Sequence, residues 1–257
     1  MWRTVSFGGQ ALLWTLILMF GASFSARADQ TAPKVDLVLV LAIDCSFSVD
    51  DAEFALQVDG IATAIESPEV IFAISNGSLG RIAVSVVQWA GFGEQIVTVD
   101  WTMVSGGDDA SLLAQRISGM KRHFRGEQAT GATDIGGLIG FSSQLALASA
   151  FASPRHVIDI SGDGKNNVNR APDRDRDVAV GLGLIINGLA IEQGITDLAA
   201  YYRRHVIGGH NSFVEAAQGF EDFHRAIQRK LLREISISTP YYARTGASKY
   251  REMVSVR

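Results

Sequence analysis

The chain has 257 residues, 47% of them hydrophobic and 19% charged, with a formal net charge of −4. That composition excludes a disordered or collagen-like chain, and its one cysteine excludes an intrachain disulfide, so stability must come from a buried core. The acidic balance argues against nucleic acid or an anionic membrane surface as partner.

Arg3 precedes the apolar run ALLWTLILMF (11–20), and SARA then sets Ala26 and Ala28 at the small-residue positions of a cleavage site. The pattern predicts a secretory signal peptide over residues 1–28, cut after Ala28. The apolar run is near 10 residues, against the roughly 20 of a spanning helix. No stable membrane span is therefore expected after cleavage, and the product is expected to be periplasmic or secreted. Cleavage removes Arg3 and Arg27 and no acid, so 21 basic residues face 27 acidic ones and the charge becomes −6.

The folded domain is expected over 29–236. VDLVLVLAI (35–43) is almost wholly apolar, as in a strand covered on both faces. A helix follows over 50–66, with Phe54, Val58, Ile61, Ala62 and Ile65 at helical spacing and Pro68 as its stop. RIAVSVVQWA (81–90) and EQIVTVDWTMV (94–104) read as strands joined by a GFG hairpin, hence antiparallel, with Trp89 and Trp101 core or half-buried. Residues 108–120 form a helix. A second runs over 134–151, with Thr133 as cap and Asp134 as first-turn acid. RHVIDIS (155–161) is a buried strand, 171–184 a short helix with Pro172 in its first turn, 185–191 a strand and 196–206 a helix. SFVEAA adds an edge strand, and a helix over 219–235 presents Phe220, Phe223, Ile227 and Leu231 on one face. The tail, 237–257, is polar and aromatic without a clear period. Alternating strands and helices predict an α/β fold: a doubly wound, mostly parallel sheet with one antiparallel edge strand and helices on both faces.

In such sheets ligands gather outside the carboxyl ends of the strands. Asp44, Ser46 and Ser48 leave the first strand, Asp163 follows the strand 155–161, and Thr133 lies in the glycine-flanked TGATDIGG. Two carboxylates and three hydroxyls can converge there. All are hard oxygen donors, which suits Mg²⁺, Mn²⁺ or Ca²⁺ better than Zn²⁺ or Cu²⁺. Neutral hydroxyls leave such a cation under-neutralised, so an open position attracts a carboxylate from a partner protein. Taken singly, each of these residues is also a common turn residue. Cys45 points to the opposite face as a small buried hydrophobe, and Phe47 is expected to turn from the metal into a wall. The charge-alternating APDRDRD (171–177) reads as a solvated helix start with local ion pairs.

Asp-x-Ser-x-Ser after the first strand, Thr-Asp before a helix and Asp-Gly after a later strand resemble the metal-ion-dependent adhesion site (MIDAS) of von Willebrand factor A domains, over roughly residues 35–235. The stretch INGLAI…LAAYYRRHVIGGHNSFV further resembles a bacterial family of secreted A-domain proteins with no assigned function. The resemblance implies that Ser46 and Ser48 bind the metal directly, Thr133 directly or through water, and Asp44 and Asp163 through waters or by switching into direct contact. It implies protein binding rather than catalysis. One departure stands out: many A domains have Thr-Asp-Gly at the last motif, and here it is Gly162-Asp163-Gly164. Two enzymatic alternatives fit less well. An aspartyl-phosphate type Mg²⁺-dependent phosphatase using Asp44 needs a second carboxylate two residues on, where Ser46 stands. A serine hydrolase using Ser161 or Ser46 would lack the Gly-x-Ser-x-Gly elbow.

Overall fold

In a computed structural model, residues 32–124, 132–168 and 171–236 are described. The expected signal peptide and the tail from 237 lie outside them. The apolar run after Asp36 forms β1 (Leu37–Asp44), buried along its whole length. With β2 (Ile82–Trp89), β3 (Gln95–Val104), β4 (His156–Gly162), β5 (Ile185–Ile191) and β6 (Val214–Ala217) it makes a six-stranded sheet of order β3-β2-β1-β4-β5-β6. Only β3 runs antiparallel to its neighbour, across a hairpin in which Gly93 takes φ +74°. The other neighbouring pairs are parallel.

The side-chain period of two divides β1 between two cores. Leu37, Leu39, Leu41 and Ile43 pack on one face against α1 (Asp51–Glu66), α2 (Pro68–Ser75), α3 (Gly107–Ser118) and α7 (Phe223–Ser236). Val38, Val40 and Ala42 pack on the other against α4 (Ile135–Leu147), α5 (Asp173–Gly181) and α6 (Leu198–Tyr201), the last continued by a π-helical turn, Tyr202–Val206. A strand apolar on every residue is what a sheet covered on both sides demands.

Local chemistry sets the helix starts. Asp50 accepts from the Glu53 N–H at 2.8 Å while the Glu53 carboxylate accepts from the Asp50 N–H at 2.8 Å, a reciprocal cap for α1. Pro68 does stop α1, but it also opens α2, which the sequence reading lacked: Ser67 caps that helix, and proline at its first position has no N–H to leave unpaired. The helix expected over 134–151 is shorter, and its cap is Asp134, which accepts from the Gly137 N–H at 3.0 Å. A side chain at Gly137 would run into that carboxylate. The cap thus falls one residue later than expected. The helix expected over 196–206 is α6 plus its π-helical turn, and α7 is preceded by a 3₁₀ turn, Phe220–Asp222.

A candidate metal centre at the carboxyl edge of the sheet

β1 ends at Asp44, and the chain turns so that the Ser46 N–H donates to Asp44 Oδ1 at 2.7 Å. The turn sets Ser46 Oγ 3.2 Å from Ser48 Oγ, and Ser48 Oγ donates to Asp163 Oδ1 at 2.7 Å. Asp163 follows β4, the neighbour of β1. Thr133 stands beside the same loop, its Oγ1 3.5 Å from where a Cβ on Gly164 would lie. Four of the five expected residues thus form one hydrogen-bonded chain, and Thr133 flanks it. Asp44, Ser46, Thr133 and Asp163 are buried, whereas Ser48 is exposed, so the group opens to solvent on one side.

Several residues that hold this arrangement carried no signal in the sequence pattern. Arg122 donates to the backbone oxygens of Cys45 and Ser46 at 3.3 and 3.0 Å and pairs with Asp51 at 3.1 Å, clamping the Asp44–Ser48 turn to the start of α1. Asn167 Oδ1 accepts from the Thr133 N–H at 2.8 Å, and Asn166 Oδ1 from the Ile135 N–H at 2.8 Å. Those two amides lash the Asp163 loop to the opening of α4. The motif SGDGKNN quotes them, but spacing does not say which backbone groups they meet.

The electrostatics fit a cation. Asp44 is fully buried, and its Oδ2 has no hydrogen-bond partner. Burial and then the charge of Asp163 push its carboxyl up to about 7, against the opposing bonds from Ser46. Burial also raises Asp163; the Ser48 hydroxyl opposes that shift, and Glu53 adds to it. Two mutually repelling carboxylates beside three hydroxyl oxygens are what a hard divalent cation stabilises. Among the described residues no group of three or more His, Cys, Asp or Glu side chains assembles as a metal site. The candidate is instead built from two carboxylates and three hydroxyls, hard oxygen donors that fit Mg²⁺, Mn²⁺ or Ca²⁺.

Cys45 lies in the opposite core as a small buried residue, its thiol donating to the Trp89 carbonyl at 3.3 Å; burial first, then Asp44, push it up to about 12. Trp89 is fully buried and Trp101 partly so. The expected wall for Phe47 is absent. Its ring is 70% exposed, because the turn that brings Ser46 and Ser48 together leaves the residue between them facing outward. The 171–177 segment does make local pairs, Arg176 with Asp173 at 3.5 Å and Asp177 at 2.8 Å, and also reaches the Arg204 carbonyl at 2.8 Å.

Gly162 is required at the site by close approach. A Cβ there would lie 2.7 Å from Tyr202 Oη, 2.8 Å from Asp44 Oδ2 and 3.2 Å from Trp89 Cζ2. Gly162→Ala is expected to lower stability by about 1–3 kcal/mol in urea unfolding. Gly164→Ala, whose Cβ would meet nothing closer than 3.5 Å, is expected to cost less. Equal losses would contradict this packing.

Residues 34–239 match a family model described as "Protein of unknown function (DUF1194)". No curated protein matches the chain. In fold the chain is similar to proximal thread matrix protein 1 from the mussel byssus, in a structure described as having a zinc-occupied MIDAS motif: TM-score 0.56 and 17% identity, over 79% of this chain and 48% of that one. It is similar to a von Willebrand factor type A protein from Catenulispora acidiphila, with TM-score 0.53 and 14% identity, over 80% of this chain and 43% of that one. It is also similar to the vWF domain of the type V pili tip protein Mfa5 from Porphyromonas gingivalis, with TM-score 0.53 and 12% identity, over 81% and 97%. The chain spans about half the length of the byssus protein and nearly all of the Mfa5 domain.

Proposed function

Since the chain belongs to the DUF1194 family, described as of unknown function, and has the fold of von Willebrand factor A domains, we propose that it is an exported, divalent-cation-dependent protein-binding module. One observation carries the reading: Asp44, Ser46, Ser48 and Asp163 form a continuous hydrogen-bonded group beside Thr133, open to solvent at Ser48, with a buried carboxylate oxygen left unpartnered. Asp44, Ser46, Ser48, Thr133 and Asp163 would hold the ion, Mg²⁺ in the first instance or else Mn²⁺ or Ca²⁺. The bound ion would supply a positive charge not fully neutralised by its own ligands, and an acidic side chain of another protein would complete it. The zinc-occupied motif of the byssus protein and the pilus-tip setting of the Mfa5 domain are in keeping with this use of the fold. Export rests on the signal peptide expected at residues 1–28. Among the described residues no helix is long and apolar enough to cross a membrane.

The phosphatase alternative loses ground on burial. A nucleophilic Asp44 must reach a substrate, yet it has no exposed surface, and its Oδ1 already accepts from the Ser46 N–H. The test of the binding reading is crosslinking capture from envelope extracts with Mg²⁺ and with chelator. A partner retained with Mg²⁺ and absent with chelator is the expected result. An identical captured set under both conditions would sink the reading.

A further inference from the structure

Gly162 closes β4, one step beyond the pairing of Ile43 with Ser161, and so stands beside Asp44 on the neighbouring strand. Tyr202 reaches this place from the turn after α6 by crossing bare backbone. A Cβ on Gly188 would lie 2.6 Å from Tyr202 Cδ1, and Gly188 pairs with Ile160, two residues before Gly162 and on the same face. Two glycines on adjacent strands thus clear a lane for the ring, and the hydroxyl comes out at the Asp44 end of the sheet. Its Oη and Asp44 Oδ2 both lie within 2.8 Å of the point where a Cβ on Gly162 would stand. Both atoms are buried, and neither has a hydrogen-bond partner; the same holds for Nε1 of Trp89, whose ring forms the other wall.

Packing alone does not call for this tyrosine. A phenylalanine would fill the lane equally well without burying an unpaired hydroxyl. What the hydroxyl adds is a polar group beside the unpaired Oδ2 of Asp44.

We propose that Tyr202 is a positioning residue of the cation site, its hydroxyl serving the inner oxygen of Asp44, directly or through one water, so that the carboxylate is held oriented toward the ion. This rests on the reading of Asp44 and its neighbours as a cation site.

The test is Tyr202→Phe in the full chain, measured by Mg²⁺ titration calorimetry and by melting in chelator and in Mg²⁺. Expected is an ion-free melting temperature equal to or above wild type, with Mg²⁺ affinity weaker by about tenfold or more. In the Asp44→Ala background the same substitution is expected to add nothing. Unchanged Mg²⁺ affinity in Tyr202→Phe overturns the inference alone. So does a fall in ion-free melting with affinity preserved, or a variant that no longer folds, since either makes the hydroxyl structural. A wild-type chain that takes up no Mg²⁺ overturns the cation-site reading itself, and this inference with it.

Discussion

Mg²⁺ is expected to raise the melting temperature of the wild-type chain, and Asp44→Ala to abolish that rise. An ion that binds only the folded state stabilises it by about 2.7 kcal/mol at a hundred times its Kd. For a chain of this size that is a shift of roughly 5–10 °C, at 2–4 °C per kcal/mol. Asp44 is the place to strike because it is the fully buried carboxylate of the candidate site while its backbone ends the central strand. In chelator the variant is expected to melt close to wild type, because two effects oppose each other. It loses the acceptor for the Ser46 N–H, worth about 1 kcal/mol, and it also sheds a buried carboxylate whose Oδ2 has no partner. An equal Mg²⁺ shift in wild type and variant would remove Asp44 from the site and leave the chain an A-fold protein without its proposed grip.

The parts of this site that could be read from the sequence are those that periodicity exposes. An apolar run ending in Asp-x-Ser-x-Ser predicts a buried strand with oxygen-bearing side chains at its carboxyl end, and β1 ends in that way. The sheet's composition followed from nine nearly unbroken apolar residues, and its antiparallel edge from the GFG hairpin. Illegible were the interactions that depend on which distant groups meet. Arg122 looked like one basic residue in a polar stretch, and Tyr202 like one of two tyrosines in a short helix, because a contact across the fold leaves no period in the chain. Phe47 was misjudged for the reverse reason: alternation along the Asp44–Ser48 turn says which way a side chain points, not whether anything lies there. Lys230 and Glu234 escaped too. They lie in the apolar stripe of α7 with Phe223, Ile227 and Leu231, yet charged residues in an amphipathic helix are ordinarily assigned to water.

Lys230 carries the largest stability effect expected in the molecule. Lys230, fully buried, sits 2.5 Å from Asp159 Oδ1 and 2.7 Å from Glu234 Oε1, and the Asn187 amide donates to the same glutamate oxygen at 2.9 Å. One cation thus serves two buried carboxylates and ties α7 to β4. Lys230→Met keeps the apolar stem and removes the charge, leaving both acids uncompensated. Such losses cost roughly 3–5 kcal/mol, or roughly 6–20 °C of melting temperature, far beyond a surface lysine. The pH dependence identifies the cause. Burial first, then Glu234, push Asp159 up to about 7 against the pull of Lys230. Between about 4 and 7 the folded chain therefore holds a proton that the unfolded chain, with an aspartate near 3.9, has released, so this group's contribution to stability falls as pH rises through that window. Without Lys230 the window extends to higher pH. The variant's deficit against wild type, measured by urea unfolding, is therefore expected to be smallest near pH 5 and to widen through pH 8. A deficit that stays level across that range would mean lost packing rather than stranded charge.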